Sequence, residues 1–217
     1  MLNRLVVFTA AALIAGGSGA ARSAPAANAD AAAVVPRIEI IEDRTIEMWS
    51  ARWWAWLASF PASESPAADR EGTRCGEGQE GAVFFLAGSY GARPVERSCP
   101  VPAGKYLFFP LVTYIMMPDD GNADCDVLRE RAAGLVARAS LFAELDGKPI
   151  ADLEGRRAAP AKCFNVNARS PAGPKVMSAS DGYWLMLRPL AKGRHTLHFG
   201  GLVPSLAQDI RYTLLVE

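Results

Sequence analysis

The run 106–112, Tyr-Leu-Phe-Phe-Pro-Leu-Val, constrains this chain more than any other stretch. It is dense in aromatic and branched residues, as a strand buried on both faces must be, and Pro102, Ala103 and Gly104 before it supply a turn. Pro110 gives no ladder hydrogen bond, so the strand is expected to end there, to bulge there, or to face solvent along one edge at that point. The rest of the chain is expected to pack on this strand.

The N-terminus has a basic residue at Arg4, an apolar run over 5–14 and small residues over 16–21. This pattern predicts a signal peptide over 1–20, with Ser18 and Ala20 at the selective positions and Ala21 nearly as good. The apolar run is shorter than the about 20 residues a membrane span needs, and no later window approaches that length. A flexible, alanine-rich tether is expected over 21–37, leaving 38–217 as a single domain. Export places the product in the periplasm or outside the cell. With 23 basic and 23 acidic residues the formal charge is zero, which argues against nucleic acid as a partner.

Four cysteines follow the leader, Cys75, Cys99, Cys125 and Cys163, and an even count in an oxidising compartment predicts two disulfides. Pairing of sequence neighbours closes the shortest loops, with three pairings open. A four-thiolate zinc site lacks any Cys-x-x-Cys spacing.

The segment 46–60 reads as an amphipathic helix with Ile46, Trp49, Trp53, Trp56, Leu57 and Phe60 on one face, Thr45 as N-cap and Pro61 as its stop. The stripe tryptophans read as core. Trp54 lies off the stripe, as either an exposed contact or a second packing face. A loop over 61–81 carries Cys75, and strands over 81–88 and 95–101 are expected to form a meander with the organising strand. A second helix is expected over 127–139, then a hairpin over 140–153 turning at Asp146-Gly147 and an alternating run over 163–167. Three further strands are expected within 183–216. Strands at this spacing with a minority of helix predict a mainly β fold, a disulfide-stabilised β-sandwich of jelly-roll or Ig-like type with one or two accessory helices.

Chemistry-bearing clusters are few. Asp120, Asn122, Asp124 and Asp126 repeat oxygen ligands at every second position, which suggests calcium. Cys125 and Arg131 occupy the positions where an EF-hand needs glycine and glutamate, so the alternative is a solvated loop whose last acid caps the next helix. His195 and His198, three apart on a strand, point to opposite faces and cannot share a metal without a bulge. No nucleophile elbow or phosphate-binding glycine loop occurs. Asp119, Asp120, Asp124, Asp126 and Asp181 read as loop carboxylates from which a glycosidase pair could be drawn. Trp184, beside Tyr183 on a strand, is assigned equally to core and to surface contact.

The Trp-Ser-x-x-Trp-Trp-x-Trp pattern from Trp49 to Trp56, Phe85-Leu-Ala-Gly88, the motif from Cys99 through Val-Pro-Ala-Gly-Lys to Leu111, and the segments starting at Asp181 and His195 resemble a family of exported bacterial proteins of uncharacterised function. The resemblance implies a β-rich fold and bacterial export, and it carries no catalytic residue with it. The first functional expectation is a non-catalytic module that binds a glycan or another envelope component through Trp54 and Trp184. The others are a carbohydrate-active enzyme using loop carboxylates and a purely structural envelope protein.

Overall fold

The computed structural model describes residues 33–91, 93–119, 124–170 and 172–217. The expected signal peptide and the tether up to residue 32 lie outside the described residues. The last residues assigned to the tether belong to the domain: Val35 is buried, its N–H donates to the Met186 carbonyl at 2.8 Å, and Val34 bridges to Leu187. Branched residues with a strand to pair with follow its register even where alanines precede them.

The fold is mainly β, a disulfide-stabilised β-sandwich with two α-helices among the described residues. One sheet orders β1 (Val83–Phe85), β3 (Tyr106–Met116), β8 (Met177–Leu187) and β6 (Arg157–Ala158), with β7 (Phe164–Asn165) pairing on β8. The other orders β2 (Val95–Val101), β10 (Leu206–Val216), β9 (Gly193–Val203), β4 (Ser140–Leu145) and β5 (Lys148–Pro149). The expected meander does not form. β1 pairs with β3 in parallel and β2 pairs with β10 in parallel, so consecutive segments go to different sheets. Local alternation tells which face of a strand is buried but not which partner it finds.

The inner faces meet in a core that includes Phe109 and Leu185 from one sheet and Phe199 and Tyr212 from the other. Phe109 and Phe199 lie with ring centroids 4.5 Å apart. The outer face of the first sheet is covered by helix α1 (Ile46–Leu57), capped by Thr45 as its sequence predicts and three residues shorter than expected. Trp49, Trp53, Trp56 and Leu57 pack there on Phe85, Phe108 and Trp184. Burying side chains of this size stabilises the fold by about 1.5–3 kcal/mol each. Helix α2 (Cys125–Val136) packs Leu128 and Ala132 beside β8 and β3.

The organising strand β3 runs past Pro110 to Met116, and the proline is absorbed by a register shift against β8 between Pro110 and Val112. The bulge is one of the outcomes its sequence allows. Both disulfides join sequence neighbours, Cys75 to Cys99 and Cys125 to Cys163. Loops of 24 and 38 residues predict about 3–4 kcal/mol of stabilisation from each, chiefly through the unfolded chain.

Arg97, which shares its strand face with Val95, Cys99 and Val101, is buried among them. Its guanidinium donates to the carbonyls of Asp69 (2.7 Å), Ala87 (2.8 Å), Gly88 (3.0 Å) and Ala67 (3.3 Å) and to the Tyr212 hydroxyl (2.8 Å). Substituting Arg97→Met removes the donor from the Ala67, Asp69 and Gly88 carbonyls, while Ala87 and Tyr212 keep their bonds to each other, and should cost about 3 kcal/mol or more in urea denaturation. A loss under about 1 kcal/mol would contradict this account of the core.

The Asp146-Gly147 turn joins β4 to β5 with both residues at positive φ, as a tight hairpin requires. Asp146 Oδ2 holds His195 Nδ1 at 2.8 Å, the Ala191 carbonyl holds Nε2 at 2.9 Å, and Oδ1 accepts the Thr196 N–H at 2.8 Å. Burial works against the charged imidazole, but these two bonds and the Asp146 charge outweigh it and raise the His195 pKa above its ordinary value. A raised value means the pair adds stability in full below about pH 6.5 and loses it as pH climbs through the folded-state value. The pair is partly solvated, so its contribution is at most about 1 kcal/mol. Asp146→Asn, which keeps the turn and the Thr196 bond, should flatten the pH dependence of stability above about pH 6. Thermal melts of the two proteins across that range would show it, and parallel curves would refute it.

Candidate functional site

Helix α1 carries four tryptophans, and their indole nitrogens separate them. Trp49 donates to the Ile41 carbonyl (3.1 Å), Trp53 to Leu86 (3.0 Å) and Trp56 to Glu77 (3.0 Å), and all three are buried. Each hydrogen bond pins a neighbouring loop to the helix. Trp54 is half-buried, packs edge-on against Trp53 with ring centroids 5.0 Å apart, and its buried Nε1 has no hydrogen-bond partner among the described residues.

Trp54 forms one wall of a cavity of about 200 Å³, closed by Tyr90, Pro110, Ile115, Leu206 and Gln208. Three features build it. The Pro110 bulge redirects β3 where the helix ends. Gln208 clamps the opposite loop, accepting from the Ser89 N–H at 2.9 Å and donating to the Ser89 carbonyl at 2.5 Å. Gly88 permits that approach, because a Cβ there would lie 2.7 Å from Gln208 Oε1. The clamp holds Tyr90, which is 60% exposed and bonded through its hydroxyl to Ser65 Oγ at 3.1 Å. The result is an apolar, aromatic-walled opening with a small polar rim, the usual composition of a small-molecule pocket.

The second tryptophan named from sequence is placed elsewhere. Trp184 is 2% exposed, stacked on Phe108 at 5.2 Å and edge-on to Trp53, so it presents no face to a ligand. The first sheet is covered on both sides, by α1 and by the second sheet, which is why alternation beside Tyr183 gave neither residue to solvent.

Of the calcium candidates, Asp120 and Asn122 lie outside the described residues. Asp124 caps α2 by accepting the Asp126 N–H at 2.9 Å, and Asp126 pairs with Arg129 at 3.2 Å. Among the described residues no group of three or more acidic, histidine or cysteine side chains is placed to hold a metal. Asp181 is not in a loop. It is buried in β8, where Arg157 holds both carboxylate oxygens at 3.0 and 2.9 Å while also donating to the Ala133 carbonyl. Asp119 is exposed, 3.8 Å from Arg131. Those carboxylates that lie among the described residues serve a helix cap and ion pairs. The histidines do face opposite ways, with His198 bonded to Asp209 at 2.8 Å.

The Gln208 clamp and Tyr90 escaped sequence reading because their partners are remote in the chain. The signal present was the apolar alternation of β10, which places Gln208 on the inner side with Ile210 and Tyr212. Comparison with protein-family models, with curated proteins and with solved structures finds no match to this chain.

The orphan indole N–H means the fold gains nothing from nitrogen at position 54. Trp54→Phe should therefore stay within about 1 kcal/mol of the parent in chemical denaturation. It should also remove most of the acrylamide-quenchable tryptophan emission, since the other four tryptophans are buried. Unchanged quenching would place Trp54 in the core.

Proposed function

We propose that this chain is an exported, non-catalytic binding module that seats one ring of an envelope or extracellular glycan against Trp54. The observation carrying this reading is the half-buried Trp54 ring at the wall of a preformed aromatic cavity, beside three neighbours whose indoles are all tied to backbone carbonyls. A flat, apolar aromatic face stacks on the C–H face of a pyranose, and a stacking ring of low conformational entropy suits recognition. The Ser89 and Thr113 hydroxyls at the cavity each spend their proton on a backbone carbonyl and keep acceptor capacity that orients a sugar's hydroxyls. Export is supported by two disulfides, which persist in oxidising compartments, and by the leader pattern of the sequence. No helix among the described residues is long and apolar enough to cross a membrane.

Carbohydrate-active chemistry has less support, since the carboxylates that would perform it are held in a helix cap and ion pairs. The family resemblance carried by the tryptophan helix and the 99–111 motif is compatible with the binding role and names no ligand.

The test is a thermal-shift and calorimetric panel of envelope and extracellular polysaccharides on the mature protein. A ligand that binds only the native state must raise its stability. A saccharide that raises the melting temperature of the parent and not of Trp54→Ala is the expected result, with affinity lowered at least about tenfold, as losing a stacked aromatic contact predicts. A flat panel, or equal shifts in parent and variant, would overturn the reading.

A further inference from the structure

We propose that a second cleft, on the other flank of α1, is a binding site for an organic monocarboxylate, with Arg52 as its anchoring cation. The cleft measures about 580 Å³, and its lining combines apolar Ala51, Ala55 and Phe164 with charged Arg52, Arg169 and Glu80. Residues 51, 52 and 55 project from the helix face opposite Trp53 and Leu57, so this site is separate from the aromatic cavity.

The two arginines are not equivalent. Arg169 is committed: its Nη2 lies 2.6 Å from Glu80 Oε2 and its Nη1 donates to the Gly78 carbonyl at 2.9 Å. That pair keeps Glu80 ionised below the ordinary carboxylate range, by its hydrogen bond first and its charge second. Arg52 has no carboxylate within ion-pair distance among the described residues. It rests over the Trp49 ring at 5.5 Å, and Arg44 lies over the same ring at 5.3 Å. Partial burial, then the like charges of Arg44 and Arg169, disfavour its charged form, and only Glu80 acts the other way. Two guanidiniums, Arg52 and Arg169, thus share one carboxylate, Glu80, in a cleft that Ala51, Ala55 and Phe164 also line.

Such a place favours an anion, and its details narrow the kind. A guanidinium matches a carboxylate in a two-bond fork. The apolar wall suits a compact ring or short hydrocarbon body attached to that carboxylate. Glu80, fixed in the same cleft, repels a second negative charge, so a monoanion is preferred over a phosphate dianion. Two sources share this chemistry, a uronate unit of an acidic saccharide and a free small carboxylic acid.

Calorimetry at low salt with D-glucuronate, benzoate and inorganic phosphate as separate probes tests the site. Saturable binding of glucuronate or benzoate, at least tenfold weaker in Arg52→Gln and unchanged in Trp54→Phe, is the expected result, with phosphate bound at least tenfold less tightly. Glucuronate alone would identify the saccharide source and benzoate alone the free acid. Glu80→Gln should narrow the gap between carboxylate and phosphate. Because Arg52 is exposed, Arg52→Gln should fold, which its circular dichroism would verify. Binding by none of the probes, equal affinity in Arg52→Gln, or loss in Trp54→Phe with retention in Arg52→Gln would overturn the assignment. The last pattern would put the carboxylate in the aromatic cavity and leave the glycan reading standing.

Discussion

The guanidinium of Arg97 is the contact on which the rest of the sandwich depends. It draws together the loop before β1 through Ala67 and Asp69, the segment after β1 through Ala87 and Gly88, and β10 through Tyr212. Among the described residues no carboxylate pairs with it directly. Carbonyl dipoles solvate the charge instead, and the Asp69 carboxylate is occupied with the N–H groups of Glu71, Gly72 and Arg74. Burial alone would hinder ionisation of Asp69, but those N–H bonds and the Arg97 charge overcome it and hold its pKa low. A buried cation with every nitrogen bonded tolerates one arrangement of its neighbours, so the irregular 61–81 segment, which has no sheet to join, acquires a defined position. Cys75 then meets Cys99 with no further adjustment.

A second constraint follows from layering. The first sheet is covered on both faces, so its strands carry large side chains at successive positions, and the covering helix must itself be rich in aromatic residues to fill the gap. Trp49, Trp53 and Trp56 do this, each tied down at its polar end. Two openings lie at the flanks of α1. On one flank lies the Trp54 cavity and on the other the Arg52 cleft, and both inherit their rigidity from the same helix and sheet.

Much of this was legible in the chain. The 3-and-4 spacing of Ile46, Trp49, Trp53 and Trp56 placed the helix and its buried face, the positions of four cysteines suggested the bridges, and Asp146-Gly147 located a hairpin. What was not legible depends on remote partners. Arg97 falls on the parity of Val95, Cys99 and Val101, a signal that a basic residue points inward, yet its acceptors come from three separate segments. Asp181 reads as a loop residue beside glycine, and its pairing opposite Tyr114 of β3 makes it a strand residue, with Arg157 of β6 supplying the ion pair. Trp184 could not be assigned because both faces of its strand are inside. The tether boundary failed for a similar reason, since Val34 and Val35 are fixed by β8.

The parallel edges of the two sheets bear on how the molecule comes to exist. Val95 lies opposite Ile210, and Val101 opposite Val216, so β2 waits for a strand at the far end of the sequence before its ladder can close. Closing so large a loop is slow relative to local hairpin formation, and until it happens the inner edge of β2 and the Arg97 charge are open to water. The bridge from Cys75 to Cys99 needs only residues already at hand. Early oxidation would hold β2 against its loop during that interval, protecting an unpaired edge from joining the wrong neighbour. Seen this way, the first disulfide is a chaperone built into the chain as much as a brace for the finished protein.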